Sequence, residues 1–122
     1  MEINCEAKIL RIFLSSTDKF KQQLLYEVIV YAAKRYGLAG ATVLRGVMGF
    51  GSSSVVSTTK FWELTEKLPM VVEIIDESEK VEKFFEIITP YFEKIRNGCI
   101  VTLEKTNVIL YKTGTKKHFF EL

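Results

Sequence analysis

Several features that mark large functional classes are scarce or missing in this sequence of 122 residues. It contains one histidine and two cysteines, so one chain cannot assemble a multi-histidine metal site or a His-based catalytic triad. No apolar run approaches the roughly 20 residues that a membrane-spanning helix requires. The acidic N-terminus lacks the basic flank and apolar centre of an export signal. We therefore expect a cytoplasmic protein with reduced thiols and no membrane insertion.

An excess of charge of one sign is also missing, because 17 basic and 15 acidic residues leave a formal net charge of +2. Nucleic acids favour proteins that concentrate positive charge, so the composition predicts no nucleic-acid partner. Apolar residues, in contrast, make up 48% of the chain, which suffices for one core at this length. We expect a single domain over residues 1–122, with a core of residues 7–112 and a tail of residues 113–122.

Runs of branched and aliphatic residues predict the strands. Three of them occupy residues 7–15, 40–45 and 70–75. Two shorter strands are predicted at residues 99–103 and 108–111, on either side of a polar turn at residues 104–107.

Apolar stripes at three- and four-residue spacing predict two helices. The first begins at a cap formed by Ser16, Thr17 and Asp18 and ends at Gly37. The second begins at a capping box, Asp76 with Glu79, and its stripe runs to Ile95. Pro90 is expected to kink this second helix or loosen it one turn earlier, because proline removes a backbone donor.

The predicted order is strand, helix, strand, strand, helix, strand, with an extra C-terminal strand. This is an α+β, ferredoxin-like βαββαβ sandwich with two helices on one face of an antiparallel sheet. The first and third strands carry aliphatic side chains on both faces, and two helices cover only one. Another copy of the chain is the simplest cover, so we expect a homo-oligomer with inward-facing sheets. Glu73 is expected to form a salt bridge with Arg11 or Lys8 of another subunit.

The clearest functional pattern is a glycine-rich loop at residues 45–54, with glycines in the order G-x-x-G-x-G and three serines after them. Glycines permit positive φ and let a ligand approach backbone N–H groups, as a phosphate cradle requires. The alternative is a loop whose glycines only turn the chain. Arg45 offers a guanidinium for phosphate, and the apolar Val47, Met48 and Phe50 need cover from a ligand, subunit or partner.

Two blocks make the pattern specific: residues 37–51, GLAGATVLRGVMGFG, and residues 68–76, LPMVVEIID. Together they resemble an uncharacterised prokaryotic family of the PII-like signalling superfamily, over roughly residues 8–111. The resemblance implies a homotrimer whose sheets face its centre and an adenine nucleotide, ADP or ATP above all, in a cleft between subunits. It implies that the loop after the second strand carries the signal. The nucleotide-binding residues expected on this basis are Arg45, Gly46, Gly49, Phe50, Gly51, Ser52, Arg96 and Gly98.

The turn after the second helix departs from the family pattern. In true PII proteins this phosphate-holding turn has several glycines and a lysine, whereas here it is Arg96-Asn97-Gly98. Arg96 and the backbone of Gly98 are expected to substitute in part. Further candidates, which would reach across a subunit boundary, are Lys60, Lys112, Lys116 and Lys117, although such lysines are more often solvated surface charges.

The leading hypothesis is a regulatory protein rather than an enzyme. Nucleotide occupancy orders or releases residues 46–54, and this loop regulates a protein partner such as a transporter or an enzyme. An RNA-binding domain shares the element order but needs exposed aromatic residues on its first and third strands, where only Phe13 is available. A small nucleotide hydrolase using Arg45 and a metal ion would need a carboxylate cluster that the sequence does not show. No catalytic residue and no metal are predicted.

Overall fold

A computed structural model describes residues 6–51, 57–58 and 67–114. Its elements, in chain order, are β1 (Glu6–Ser15), β2 (Lys19–Phe20), β3 (Gln23–Leu24), α1 (Leu25–Arg35), β4 (Gly40–Arg45), β5 (Met48–Gly49), β6 (Ser57–Thr58), β7 (Pro69–Glu77), α2 (Ser78–Ile88), a short 3-10 helix (Thr89–Phe92) and β8 (Ile100–Asn107). The four long strands form one antiparallel sheet in the order β4-β7-β1-β8. The predicted α+β, ferredoxin-like sandwich is confirmed. No helix among the described residues is long and apolar enough to cross a membrane.

Alternation along the two central strands separates the faces of the sheet, because successive side chains point to opposite sides. One set is buried against the helices, and we call this side the covered face. It consists of Leu10, Ile12, Leu14, Met70, Val72 and Ile74, packed with Leu25, Ile29, Val81, Phe84 and Ile88. This cluster is the core of the domain, and its burial is the main source of stability.

The other set, which we call the open face, is covered by no helix among the described residues. It is formed by Ile9, Arg11, Phe13, Leu44, Val71, Glu73, Ile75, Ile100 and Thr102. Phe13, Leu44 and Ile100 are 39%, 48% and 47% exposed. Phe13 stands directly opposite Val71 on one side and Ile100 on the other, so an apolar row crosses three strands at one end of this face.

An ion cluster lies at the middle of the open face. The Arg11 Nε atom donates to Glu73 Oε2 at 2.7 Å, and its Nη1 atom donates to Glu104 Oε2. Both hydrogen bonds raise the pKa of Arg11, and the bond to Glu73 makes the larger contribution. The partner predicted for Glu73 is confirmed, but the bridge lies within one chain because Arg11 and Glu73 are directly opposed in neighbouring strands.

The predicted start of the first helix was wrong. Residues 19–24 form a tight hairpin, with Lys21 and Gln22 at φ values of 50° and 69°, and α1 begins at Leu25 without a side-chain cap. The predicted end of the first helix is confirmed, because Gly37 lies just after α1 and adopts a φ of 75°.

The capping box predicted for the second helix was also wrong. Asp76 belongs to β7, and α2 begins at Ser78 with no side-chain cap. The Asp76 carboxylate instead accepts hydrogen bonds from the backbone N–H groups of Ala39, at 2.8 Å, and Glu77, at 2.6 Å. The effect of Pro90 is confirmed, because α2 ends at Ile88 and gives way to the 3-10 helix that contains the proline.

The C-terminal strand boundaries differ from the prediction. A single strand, β8, runs from Ile100 to Asn107, and residues 108–114 lie outside the strands. The polar residues predicted as a turn continue the pairing with β1, where Glu104 reaches Arg11 and Lys105 lies 3.9 Å from Glu6. Because β8 is an edge strand, its charged side chains remain in solvent at little cost.

Candidate functional site

A cleft of about 300 Å³ opens at the end of the sheet where β1 ends and β7 begins. Its floor is the apolar row of Phe13, Val71 and Ile100, so the cleft belongs to the open face. Two walls rise from this floor. The loop wall consists of Gly46, Met48, Gly49, Phe50 and Gly51, and the turn wall of Asn97, Gly98 and Cys99; Leu14, Ser15, Lys67, Leu68, Pro69 and Met70 complete the lining.

The loop wall is anchored at its first glycine. The Gly46 N–H donates to the Pro69 carbonyl at 2.7 Å, and a Cβ atom at this position would lie 2.8 Å from Pro69 Cγ. Only glycine allows this close approach between the loop and the start of β7. Beyond it, β5 pairs with β6, with Met48 opposite Thr58.

The same loop exposes apolar side chains. Val47, Met48 and Phe50 are 72%, 61% and 71% exposed, far more than the side chains of the core. Met48 and Phe50 line the cleft. The exposure predicted from the sequence is confirmed, and these side chains are available to contact a ligand or a second protein surface.

The turn wall is held by a buried carboxylate. Asp18 is 3% exposed, and its Oδ1 accepts a hydrogen bond from Asn97 Nδ2 at 2.8 Å while its Oδ2 accepts one from the Ser15 N–H at 2.9 Å. Its own carbonyl accepts from the Leu25 N–H at 2.8 Å. Asp18 thus ties the end of β1, the start of α1 and the turn wall together.

Sequence reasoning missed this role. Asp18 follows a serine and a threonine ahead of an apolar stripe, which is the pattern of a helix cap. The residue it binds, Asn97, lies 79 positions away. No local sequence pattern predicts a hydrogen bond between residues so far apart in the chain.

Cys99 is the ionisable residue of the turn wall, and its pKa is shifted. Burial raises the pKa of its thiol, and the charge of Asp18 raises it further. The thiol is therefore less ionised at neutral pH than that of a free cysteine.

The structure brings all four predicted glycines together at the cleft, whereas both arginines lie outside its lining. Gly46, Gly49, Phe50, Gly51 and Gly98 all line the cleft. Arg45 stands opposite Met70, which belongs to the covered face, and it is exposed at the end of β4. Arg96 is exposed and does not line the cleft. Neither arginine lines the cleft within one chain, and their contact with a phosphate between subunits stays a prediction.

The remaining candidates divide by position. Lys112 is exposed and lies outside the lining of the cleft. Ser52, Lys60, Lys116 and Lys117 fall outside the described residues. Within residues 6–51, 57–58 and 67–114, no group of three His, Cys, Asp or Glu side chains is placed to hold a metal ion.

Comparison with known sequences assigns the family. The model of the family DUF190, described as "Uncharacterized ACR, COG1993", matches residues 7–108. The chain belongs to this family. It is 40% identical over 102 residues to a UPF0166 protein of Aquifex aeolicus, covering 84% of this chain and 92% of that protein. A UPF0166 protein of Methanocaldococcus jannaschii is 34% identical over 110 residues, covering 90% of this chain and 96% of the relative.

Solved structures show that this DUF190 protein has the PII-like fold. CPII, a nitrogen regulatory PII-like protein from Thiomonas intermedia K12 bound to ADP, AMP and bicarbonate, matches with a TM-score of 0.58 and 20% identity, over 84% of this chain and 89% of CPII. A putative PII-like signaling protein from Thermus thermophilus matches with a TM-score of 0.60 and 18% identity, over 86% and 91% of the two chains. The sequence resemblance to an uncharacterised PII-like family is confirmed.

Proposed function

We propose that this DUF190 protein is a PII-like signalling protein that binds an adenine nucleotide of the ATP, ADP or AMP type in the cleft. It regulates a protein partner, such as a transporter or an enzyme, through residues 46–54. The observation that carries the proposal is the meeting of the glycine-rich loop and the Asn97–Gly98 turn over an apolar floor. CPII, which has the same fold, binds ADP and AMP.

The shape and chemistry of the cleft support a nucleotide as the ligand. Its volume of about 300 Å³ is at the lower end of the range for small-molecule sites, about 300–1,000 Å³. Phe13 and Phe50 both line it, and aromatic side chains are good stacking surfaces for a base. Glycines in both walls allow a polar group to reach backbone N–H donors.

The open face supports self-association. Phe13, Leu44 and Ile100 are exposed on a face that neither α1 nor α2 covers, and apolar sheet faces of this kind are normally covered. We propose that open faces pack together in a homotrimer. The floor of the cleft is part of the open face, so a neighbouring subunit borders the nucleotide, and the proposed site is an intersubunit cleft.

The glycine-rich loop connects nucleotide occupancy of the cleft to the surface that a protein partner contacts. It forms one wall of the cleft, and its Val47 side chain is 72% exposed and lies outside the lining. A ligand that contacts Met48 and Phe50 changes the position of the loop and therefore of the apolar surface that a partner meets. No chemical step is required of the protein in this role.

Titration calorimetry of the full chain with ATP, ADP, AMP and cyclic AMP tests the proposal. Binding of at least one of them at millimolar concentration or tighter is expected, together with a light-scattering mass of three chains. The absence of binding to all four would contradict a nucleotide-binding function, and a monomer at micromolar concentration would contradict the trimer.

A further inference from the structure

Two hydrogen bonds clamp the residue before β7 to the end of β1. The Ser16 N–H donates to the Leu68 carbonyl at 2.8 Å, and the Leu68 N–H donates to the Ser16 hydroxyl oxygen at 2.9 Å. Leu68 is 1% exposed, so its N–H would lose its partner with little access to water if the hydroxyl were removed. One serine therefore fixes the position of Leu68 and of the next residue, Pro69.

Pro69 extends this attachment to the loop wall. Its carbonyl accepts the hydrogen bond from the Gly46 N–H at 2.7 Å, and its ring restricts its own φ. A Cβ atom at residue 46 would lie 2.8 Å from Pro69 Cγ, so the loop wall packs tightly on the proline. Ser16 and Gly46 are thus joined through the short, stiff pair of Leu68 and Pro69.

The segment that contains Ser16 also holds the turn wall. The N–H of its neighbour Ser15 donates to Asp18 Oδ2 at 2.9 Å, and Asp18 Oδ1 accepts from Asn97 Nδ2 at 2.8 Å. The Asp18 N–H donates in turn to the Ser15 carbonyl at 3.1 Å. A continuous series of hydrogen bonds and covalent bonds therefore runs from Asn97 in the turn wall to Gly46 in the loop wall.

We propose that Ser16 is a positioning residue that couples the two walls of the cleft, so that a ligand engaging the turn wall also shifts the loop wall. Residues in one hydrogen-bond network respond together because moving one member changes the geometry of the next. The proposal deepens the proposed function by naming a residue through which occupancy reaches the partner surface. It rests on that function for the ligand, whereas the coupling itself is a property of the chain without ligand.

Amide hydrogen exchange of the ligand-free full chain, followed by NMR, tests the coupling with the wild type, Ser16→Ala, Asn97→Ala and the double variant. Asn97→Ala releases the turn wall and should speed exchange of the Gly46 amide about tenfold, because a hydrogen-bonded unit opens as a whole. In the Ser16→Ala background the same substitution should change this rate less than about twofold, since the link is already broken.

Two results would overturn the coupling. Unchanged exchange of Leu68 and Gly46 in Asn97→Ala would show that the walls move independently, and this result is obtained even if Ser16→Ala fails to fold. An equal effect of Asn97→Ala in both backgrounds would remove Ser16 from the link. Ser16→Thr keeps the hydroxyl and should retain the wild-type response. Ser78→Ala, at a half-buried serine at the start of α2, is the matched control and should change neither rate.

Calorimetric titration with ADP separates the coupling from the proposed function. Coupled walls are held ready for a ligand together, so Ser16→Ala should weaken ADP binding about tenfold, and adding Asn97→Ala should weaken it little further. Unchanged ADP affinity in Ser16→Ala would overturn its role in positioning the site. Absence of binding of ADP and the other adenine nucleotides to the wild type would contradict the proposed function, and the ligand-free exchange rates would still decide the coupling.

Discussion

The two faces of the sheet carry similar amounts of aliphatic sequence but perform different tasks. On the covered face, Ile12 and Ile74 are fully buried beneath the helices. On the open face, their neighbours in the same strands, Phe13 and Ile75, remain partly exposed. The covered face therefore stabilises the chain, whereas the open face is left for association and for the floor of the cleft. Single substitutions can separate these tasks.

The largest effect is expected on assembly. Leu44→Glu places a charge on the open face at a residue that does not itself line the cleft, and it should convert a trimer into monomers that remain folded, because a buried unpaired carboxylate is strongly unfavourable. Light scattering and circular dichroism measure the two properties. Tyr31→Glu is the control, since Tyr31 is 66% exposed on α1. A Leu44→Glu protein with the same mass as the wild type would contradict association through the open face.

Adjacent residues of β1 should separate stability from binding. Ile12→Ala, at a fully buried position, is expected to lower the free energy of unfolding by about 2–5 kcal/mol through the lost contacts and the cavity. It should leave the nucleotide affinity of the folded protein unchanged.

Phe13→Ala should show the opposite pattern. It removes part of the cleft floor and should weaken adenine-nucleotide binding about tenfold, with a loss of stability nearer 1 kcal/mol. Denaturant unfolding and calorimetry on both variants make the comparison. Equal effects of the two substitutions on both measurements would remove the distinction between the faces.

A smaller effect on stability is expected at the link between β1 and the turn wall. Asp18→Ala leaves the Ser15 N–H and the Asn97 amide without their acceptor, which costs about 1–3 kcal/mol of unfolding free energy for a buried site. Nucleotide affinity should also fall, because Asn97 no longer holds the turn wall in place. Asn97→Ala removes only the second of these contacts, so it should retain more stability than Asp18→Ala. If Asp18→Ala binds nucleotide as the wild type does, the carboxylate does not position the wall.

How far the sequence could predict this structure depended on whether each signal was local. The first and third long strands and the stripe of α2 follow from apolar periodicity. The open face was predictable because the central strands carry aliphatic side chains on both faces, whereas two helices can cover only one. Gly37 follows the end of α1 with a positive φ, and Pro90 lies just after the end of α2, as the backbone properties of glycine and proline predict.

The errors share a physical cause. Asp18 and Asp76 have the local pattern of helix caps, yet their carboxylates bind Asn97 and Ala39, which are distant in the sequence. The polar residues of β8 resemble a turn until their pairing with β1 is known. In the site, the glycine loop and Gly98 line the same cleft. Arg45 lies outside the lining because the side from which a side chain leaves the sheet depends on register, and Arg96 is exposed in the turn before β8.

The smallest effect is expected on the reactivity of Cys99. Because folding raises the pKa of this thiol, its alkylation at pH 7.5 should be slower than that of a free cysteine, and the rate should rise at higher pH. The raised pKa also means that the neutral thiol stabilises the folded state below the ordinary cysteine pKa, and that this contribution is lost as the pH rises through the shifted value. Alkylation of a Cys5→Ser protein followed by mass spectrometry isolates Cys99. Bound nucleotide should slow the reaction further, and an unprotected, fast-reacting thiol would contradict a ligand between the walls.

A crystal structure of the full chain grown with AMP tests the central claim most directly, because it reports ligand, site and assembly together. The account predicts a nucleotide on the apolar row of Phe13, Val71 and Ile100, between the Gly46–Gly51 loop and the Asn97–Cys99 turn, with the open faces packed together. A nucleotide bound on the covered side of the sheet, or an empty cleft beside an occupied site elsewhere, would contradict it.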